Sequence, residues 1–448
     1  MQDLTTGKEG KLIFQFAAPM LIGNVFQQLF SVIDSIIVGN FIGKEALAAV
    51  GASFPVIFMM VSLIVGLVMG TTVVISQYYG AKDFDRVKRA IDTMYIYSTG
   101  AAIITTVAGL LLAEPLLRLL GLPEEIMPQA TTFLRIYFSG TIIFFGYNGT
   151  SAALRGLGDS KTPLYFLIIA TIVNIILVLL FVGLFKWGVA GAAYATLVAN
   201  GIAFGLAAFW LNRTHKLIRI GIRGLRFDRE IFRQSIRIGL PTGIQQTFVA
   251  LGNLALLSIV NKFGTNVIAG FSVASRLDSL AMIPAMSFSQ ALSTFVGQNI
   301  GARKTERIRT GLLATLKMAG SVTIITSVFI VLFGHFIMGL FTKDIEVRRI
   351  GDQYLTIVSI FYFIFTLMFM YNGIMRGAGD TFIPMFFSLI SLWIIRIPLA
   401  YILSGKIGVT GIWWSIPAGW LIGLTLSFLY YKTGRWKTRT VVKYSENP

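Results

Sequence analysis

The chain has 448 residues, of which 55% are hydrophobic and 13% charged, with a formal net charge of +18 and a mean hydropathy of +0.75. Soluble domains carry about 25% charged residues, so this composition is that of a polytopic membrane protein, and the positive charge needs a membrane explanation before a nucleic-acid one. With no cysteine, and only His215 and His335 as imidazoles, disulfides, thiolate metal sites, thiol nucleophiles and histidine clusters are excluded.

The first ten residues are polar and lack a signal-peptide pattern, so the first apolar run is expected to direct insertion itself. That run, near 13–38, carries the acid Asp34. Asn24, Gln27, Ser31 and Asp34 recur at intervals of three and four and share one helical stripe. A carboxyl at membrane depth costs roughly 2.5 kcal/mol or more, so it avoids lipid. The stripe is expected to face a water-accessible interior, with Asp34 as a proton- or cation-binding group.

Eleven further runs meet the roughly 20-residue requirement for a spanning helix. They lie near 46–79, 91–113, 128–154, 162–185, 189–211, 238–260, 267–300, 310–333, 350–375, 382–404 and 409–431. Pro19, Pro55, Pro241, Pro284 and Pro398 fall inside runs and are expected to bend them. With the N-terminus inside, cytoplasmic segments hold 26 of the 38 Lys and Arg residues and outside segments hold nine. This bias predicts a multi-pass inner-membrane protein with both termini cytoplasmic.

Three motifs repeat. Gln77-Tyr-Tyr-Gly-Ala-Lys82 recurs as Gln298-Asn-Ile-Gly-Ala-Arg303, Arg155-Gly-Leu-Gly-Asp159 as Arg376-Gly-Ala-Gly-Asp380, and Asn40-Phe-Ile-Gly43 as Asn261-Lys-Phe-Gly264, all offset by 221 residues. The expected fold is therefore all-α, with twelve transmembrane helices in two six-helix bundles related by a pseudo-twofold along the membrane normal. Residues 1–211 form the first bundle, 212–237 a basic cytoplasmic linker and 238–448 the second bundle. Within the linker, 227–232 reads as a surface helix started by Asp228. The Arg-Gly-x-Gly-Asp stretches join apolar runs, so a tight turn capped by the Asp fits better than phosphate binding.

With these motifs, the Gly297-Gln298-Asn299-Ile300-Gly301-Ala302 stretch, and Ala17-Ala18-Pro19 leading into Asp34, the whole chain resembles the multidrug and toxic compound extrusion (MATE) transporters. It looks most like their bacterial DinF-like branch, because the acid is on the first span and the seventh lacks a Glu. The resemblance implies a central cavity and efflux of amphipathic, often cationic compounds in exchange for protons or sodium. Asp34 matches the coupling acid, Asn174 a fifth-span Asn beside it, and Thr196 a sixth-span pocket position. Asn200 lies one turn after Thr196. Tyr137 and Asn148 are fourth-span candidates. Val178 departs from the pattern, standing where relatives often carry a second acid. With one acid and several neutral oxygens, a proton is easier to accommodate than sodium, although Asp34, Asn174 and Thr196 are the candidate sodium ligands.

The second half offers other polar groups. Thr242, Gln245, Gln246 and Asn253 form the polar face of the seventh span, Asp278 sits in the eighth and Arg396 in the eleventh. Asp278 and Arg396 are expected either to pair structurally or to bind substrate. The reading is an ion-coupled multidrug antiporter, not an enzyme, without cofactor, acting as a monomer on small molecules within the bilayer and binding no nucleic acid. Two alternatives stand beside it. A lipid-linked-oligosaccharide flippase of the same superfamily would want a basic cavity, and a membrane enzyme would want clustered catalytic groups that the chain lacks.

Overall fold

A computed structural model of the chain describes residues 2–119, 121–214 and 224–442; within it the side chains of Ser31, Val32, Asp34, Ser35, Ile36, Lys44, Leu47, Leu63 and Thr214 also lie outside the described set. The first half comprises α1 (Glu9–Phe41), α2 (Lys44–Gly80), α3 (Phe84–Leu119), α4 (Met127–Ser139), α5 (Thr141–Gly156), α6 (Lys161–Val178), continued by a π-helical turn at Leu179–Leu184, and α7 (Gly188–Thr214). The second half comprises α8 (Arg229–Val260), α9 (Thr265–Gly301), α10 (Glu306–Phe341), α11 (Ile345–Ser359), α12 (Tyr362–Gly377), α13 (Phe382–Leu389), a π-helical turn at Ile390–Arg396, α14 (Ile397–Ile407) and α15 (Val409–Thr433). α4–α5, α11–α12 and α13–α14 are each one interrupted span, so each half has six. The chain is an all-α polytopic membrane protein of two six-helix bundles. Among the described residues, nine helices qualify as spans by length and apolarity, and two bent pairs qualify when each pair is counted as one.

Helices form because runs of this length and apolarity must satisfy their backbone groups internally in lipid. They outrun the apolar stretches mainly at their polar ends. Residues 227–232 make no separate surface helix. Asp228 caps α8 directly, its Oδ1 accepting from the amides of Glu230 (2.9 Å) and Ile231 (3.1 Å), and α8 runs unbroken into the seventh span.

The repeat is visible in backbone detail. Lys82 and Arg303, in the turns just after α2 and α9, both adopt φ 59, and Gly158 and Gly379 adopt φ 82 and φ 90 in the paired turns. Asp159 caps α6 as the motif predicts, accepting from the Thr162 amide at 3.0 Å and its hydroxyl at 2.7 Å. Asp380 instead accepts from the Tyr430 hydroxyl at 2.5 Å.

The largest break in the second half needs no proline. α11 and α12 diverge by 50° at Phe361 (φ −100, ψ 6), and α4 and α5 part at its repeat counterpart Gly140 (φ −95, ψ 7). In each half a hydroxyl from a neighbouring helix caps a carbonyl freed there: Thr106 donates to the Phe138 carbonyl (2.9 Å), and Ser327, its counterpart, to that of Ser359 (2.7 Å).

The chain separates into two compact units, one built on Ile22–Gly243, the other joining Leu4–Leu21 to the chain from Ile244 onward. In the second unit Leu4, Ile13, Phe16 and Ala17 are buried with Phe288, Leu292 and Phe295. The Gln-Asn pair of the repeated motif holds this segment: Gln298 Oε1 accepts from the Leu4 amide (3.0 Å), and Asn299 Nδ2 donates to the Leu4 carbonyl (3.1 Å). Lys304 and Arg307 donate to the carbonyls of Thr5 and Gly7. In the first unit the start of α8 docks in the repeat-equivalent place. The Tyr78 hydroxyl donates to Gln234, the Asp228 amide donates to Thr93 Oγ1, and Arg89 pairs with Asp228. There Gly66 and Gly70 of α2 meet Gly239 and Gly243 of α8 backbone to backbone, a close crossing that only small residues permit.

Candidate functional site

In the first unit α1 runs alongside α6. Gly23 abuts Leu164 and Leu167, and Phe41 abuts Gly183, so the Asp34 turn lies between those contacts, at the level of the Asn174–Val178 turn. Asn174 is 2% exposed on the inner face of α6, and its amide donates to Thr196 Oγ1 on α7 at 3.2 Å. Thr196 passes the bond to the Ala192 carbonyl (3.1 Å), and Asn200 donates to the Thr196 carbonyl (2.8 Å). Of the three neutral side chains expected together, Asn174 and Thr196 are hydrogen-bonded to each other, and Asn200 bonds the backbone of its own helix one turn on. Val178 is fully buried one turn on, among Ile37, Val38, Val182 and Ala192.

The Asp34 and Ser31 side chains lie outside the described residues, and Gln27 is exposed. Tyr137 packs in an aromatic group with Phe133, Phe138 and Phe144, and the Asn148 amide bonds its own helix at the Phe144 carbonyl. Neither bonds to the Asn174 group among the described residues.

In the second unit, Asp278 and Arg396 make no ion pair within 4.0 Å among the described residues. The partner of Asp278 is Tyr354 on α11, whose hydroxyl donates to Oδ2 at 3.1 Å. Tyr354 is itself wedged edge-on against Trp413 (5.0 Å) and Phe271 (5.6 Å). Tyr362 on α12 and Arg396 at the end of the π-helical turn are the other electrostatic neighbours of Asp278. Sequence reasoning missed both tyrosines, which flank the proline-free break. Gln246 and Asn253 are exposed, whereas Gln245 reaches across to Ser388 Oγ at 2.5 Å. Among the described residues no three His, Cys, Asp or Glu side chains group as metal ligands would.

A family model described as MatE matches the chain twice, over residues 19–180 and 241–402. The chain belongs to the MatE family. The two matched stretches follow the internal repeat, and MatE proteins are membrane transporters rather than enzymes. Among MatE relatives, a protein named "Probable multidrug resistance protein YpnP" from Bacillus subtilis is 36% identical over 436 residues, 97% of each chain. One named "Probable multidrug resistance protein NorM" from Thermotoga maritima is 28% identical over 445 residues, 96% of this chain and 94% of that one. A solved structure described as "Outward-facing conformation of a multidrug resistance MATE family transporter of the MOP superfamily" is similar with TM-score 0.88 and 26% identity, over 97% of this chain and 98% of that one.

Proposed function

We propose that this MatE protein is a secondary active exporter that moves amphipathic, cationic organic compounds out of the cell in exchange for protons, with sodium as the second candidate ion. Each six-helix half moves as one bundle, with a basic linker between them at residues 212–237 and both termini in the cytoplasm. Asp34 is the coupling group. Its surroundings support this role: the turn that bears it lies level with buried Asn174 and its half-buried partner Thr196, with half-buried Asn200 one turn further on, which supply neutral oxygens and donors at span depth. That is the observation carrying the reading. An apolar Val178 in place of a second acid leaves too few hard oxygen ligands to favour sodium.

Proton and cationic compound compete for one carboxylate, so arrival of either releases the other, and access alternates between the two faces. The names of the relatives support multidrug substrates, and a lipid-linked-oligosaccharide flippase is the less favoured reading. The test is efflux of a cationic dye from proteoliposomes under an imposed pH gradient, with and without sodium. Asp34→Asn is expected to abolish uphill efflux while leaving the protein folded. Gradient-driven efflux by this variant at wild-type rate would overturn the assignment of Asp34.

A further inference from the structure

Among the described residues of the second unit, eight buried side-chain polar atoms have no hydrogen bond within 3.5 Å, and four of them lie together: Asp278 Oδ1, the Tyr362 hydroxyl, Arg396 Nε and Trp413 Nε1. Their residues surround one spot. Tyr354 and Tyr362 lie on the two sides of the α11–α12 break and are each 2% exposed, and Arg396 leaves a π-helical turn, a feature frequent at functional sites.

The fold does not require this cluster. In the register of the internal repeat, the first half places Ile57, Phe133 and Thr141 where the second has Asp278, Tyr354 and Tyr362. It still builds the same break, closed by Thr106 as Ser327 closes the other. Asp34 in turn falls opposite Ala255. Each half therefore carries its own acid, at a position where the other half is apolar.

We infer that Asp278 is a second proton-binding site, carried by the second half and independent of Asp34. An ionised carboxylate with one oxygen sealed from solvent and unbonded is costly. A proton taken from water and added to Oδ1 converts that oxygen into a donor, while Oδ2 keeps the Tyr354 bond; no other covalent bond changes. Among the described residues, the titratable or charged groups facing Asp278 are Tyr354 from α11, Tyr362 from α12 and Arg396 from the π-helical turn. Trp413 of α15 adds an uncharged N–H. One carboxylate and two phenols offer too few hard oxygen ligands for a metal ion, which leaves the proton as the cation this site takes.

Only the role in transport rests on the reading of the chain as an antiporter; the site itself does not. Infrared difference spectroscopy between low and high pH, on the full-length protein in lipid, reads it directly. A protonated-carboxyl band is expected in Asp34→Asn and should vanish when Asp278→Asn is added to it; Asp278→Asn alone should lose that component and keep the one due to Asp34. Tyr354→Phe should shift the Asp278 band, because one carboxyl oxygen loses its hydrogen bond. Persistence of the full band in folded Asp278→Asn would overturn the proposal. Should Asp278→Asn not fold, an unshifted band in Tyr354→Phe would overturn it equally. Since no substrate enters the measurement, failure of the Asp34 reading leaves this result standing, and the reverse.

Discussion

Replacing Gly70 by alanine sets two effects against each other. Alanine gains roughly 0.8–1.0 kcal/mol over glycine inside a helix. The new methyl would lie 2.5 Å from the Gly239 nitrogen and 2.5 Å from the Ser235 carbonyl oxygen, where carbon contacts are normally about 3.5–4.0 Å. Both are backbone atoms within α8, so no rotamer change relieves the clash, and the helices must part by about 1 Å along the crossing. Overpacking of this kind costs about 1–3 kcal/mol, leaving a net loss of up to about 2 kcal/mol. Gly100→Ala in α3 is the control, because a methyl there meets nothing within 4 Å and only the propensity gain remains. Thermal unfolding in detergent should place Gly70→Ala below wild type and Gly100→Ala level with it or above. If Gly70→Ala melted at or above wild type, the argument that glycine contact sets the α2–α8 spacing would fail.

Other substitutions separate docking from site chemistry. Asn299→Ala removes donors to the Leu4 and Phe295 carbonyls and should weaken the hold on the N-terminal segment by about 1–2 kcal/mol. Faster hydrogen exchange at residues 4–16 is the readout, and unchanged exchange would refute it. Val178→Asp buries a carboxyl in an apolar cluster and discards a buried valine, for a loss of about 2–4 kcal/mol. Its melting temperature should fall in sodium-free buffer and recover in part with sodium; a variant as stable as wild type without sodium would show that the pocket already accommodates an acid.

Much of this architecture is legible in the amino-acid order. Apolar runs dictate spanning helices, and the Gln77/Gln298 and Asp159/Asp380 motifs dictate two equivalent halves, because turns and helix ends are local and their residue types specific. The resemblance places Asn174 and Thr196 in one pocket, but the bond between them is not readable from spacing. The breaks at Gly140 and Phe361 are not readable either, since each depends on one residue's dihedrals and on a hydroxyl some thirty positions away. Tyr354 as the partner of Asp278 was hidden for the same reason: bonds between distant helices leave no periodic trace. The Gly66/Gly70 and Gly239/Gly243 pairs are readable at four-residue spacing but need a partner helix before they mean anything.

The docked chain segments bear on how such a protein arises and how it can be divided. Leu4–Leu21 lies in the unit formed by the second half, and the repeat-equivalent start of α8 lies in the unit formed by the first. A lone ancestral half would have had its arm's docking surface on a second copy of itself, the exchange of identical elements known as domain swapping. In a single chain carrying both halves, the same exchange is intramolecular. The same geometry means that fragments cut at the linker strand apolar surface on both products. Leu4, Ile13 and Phe16 leave with one piece, and Phe288, Leu292 and Phe295 are uncovered on the other. Co-expressed halves should therefore be soluble in detergent only as a pair.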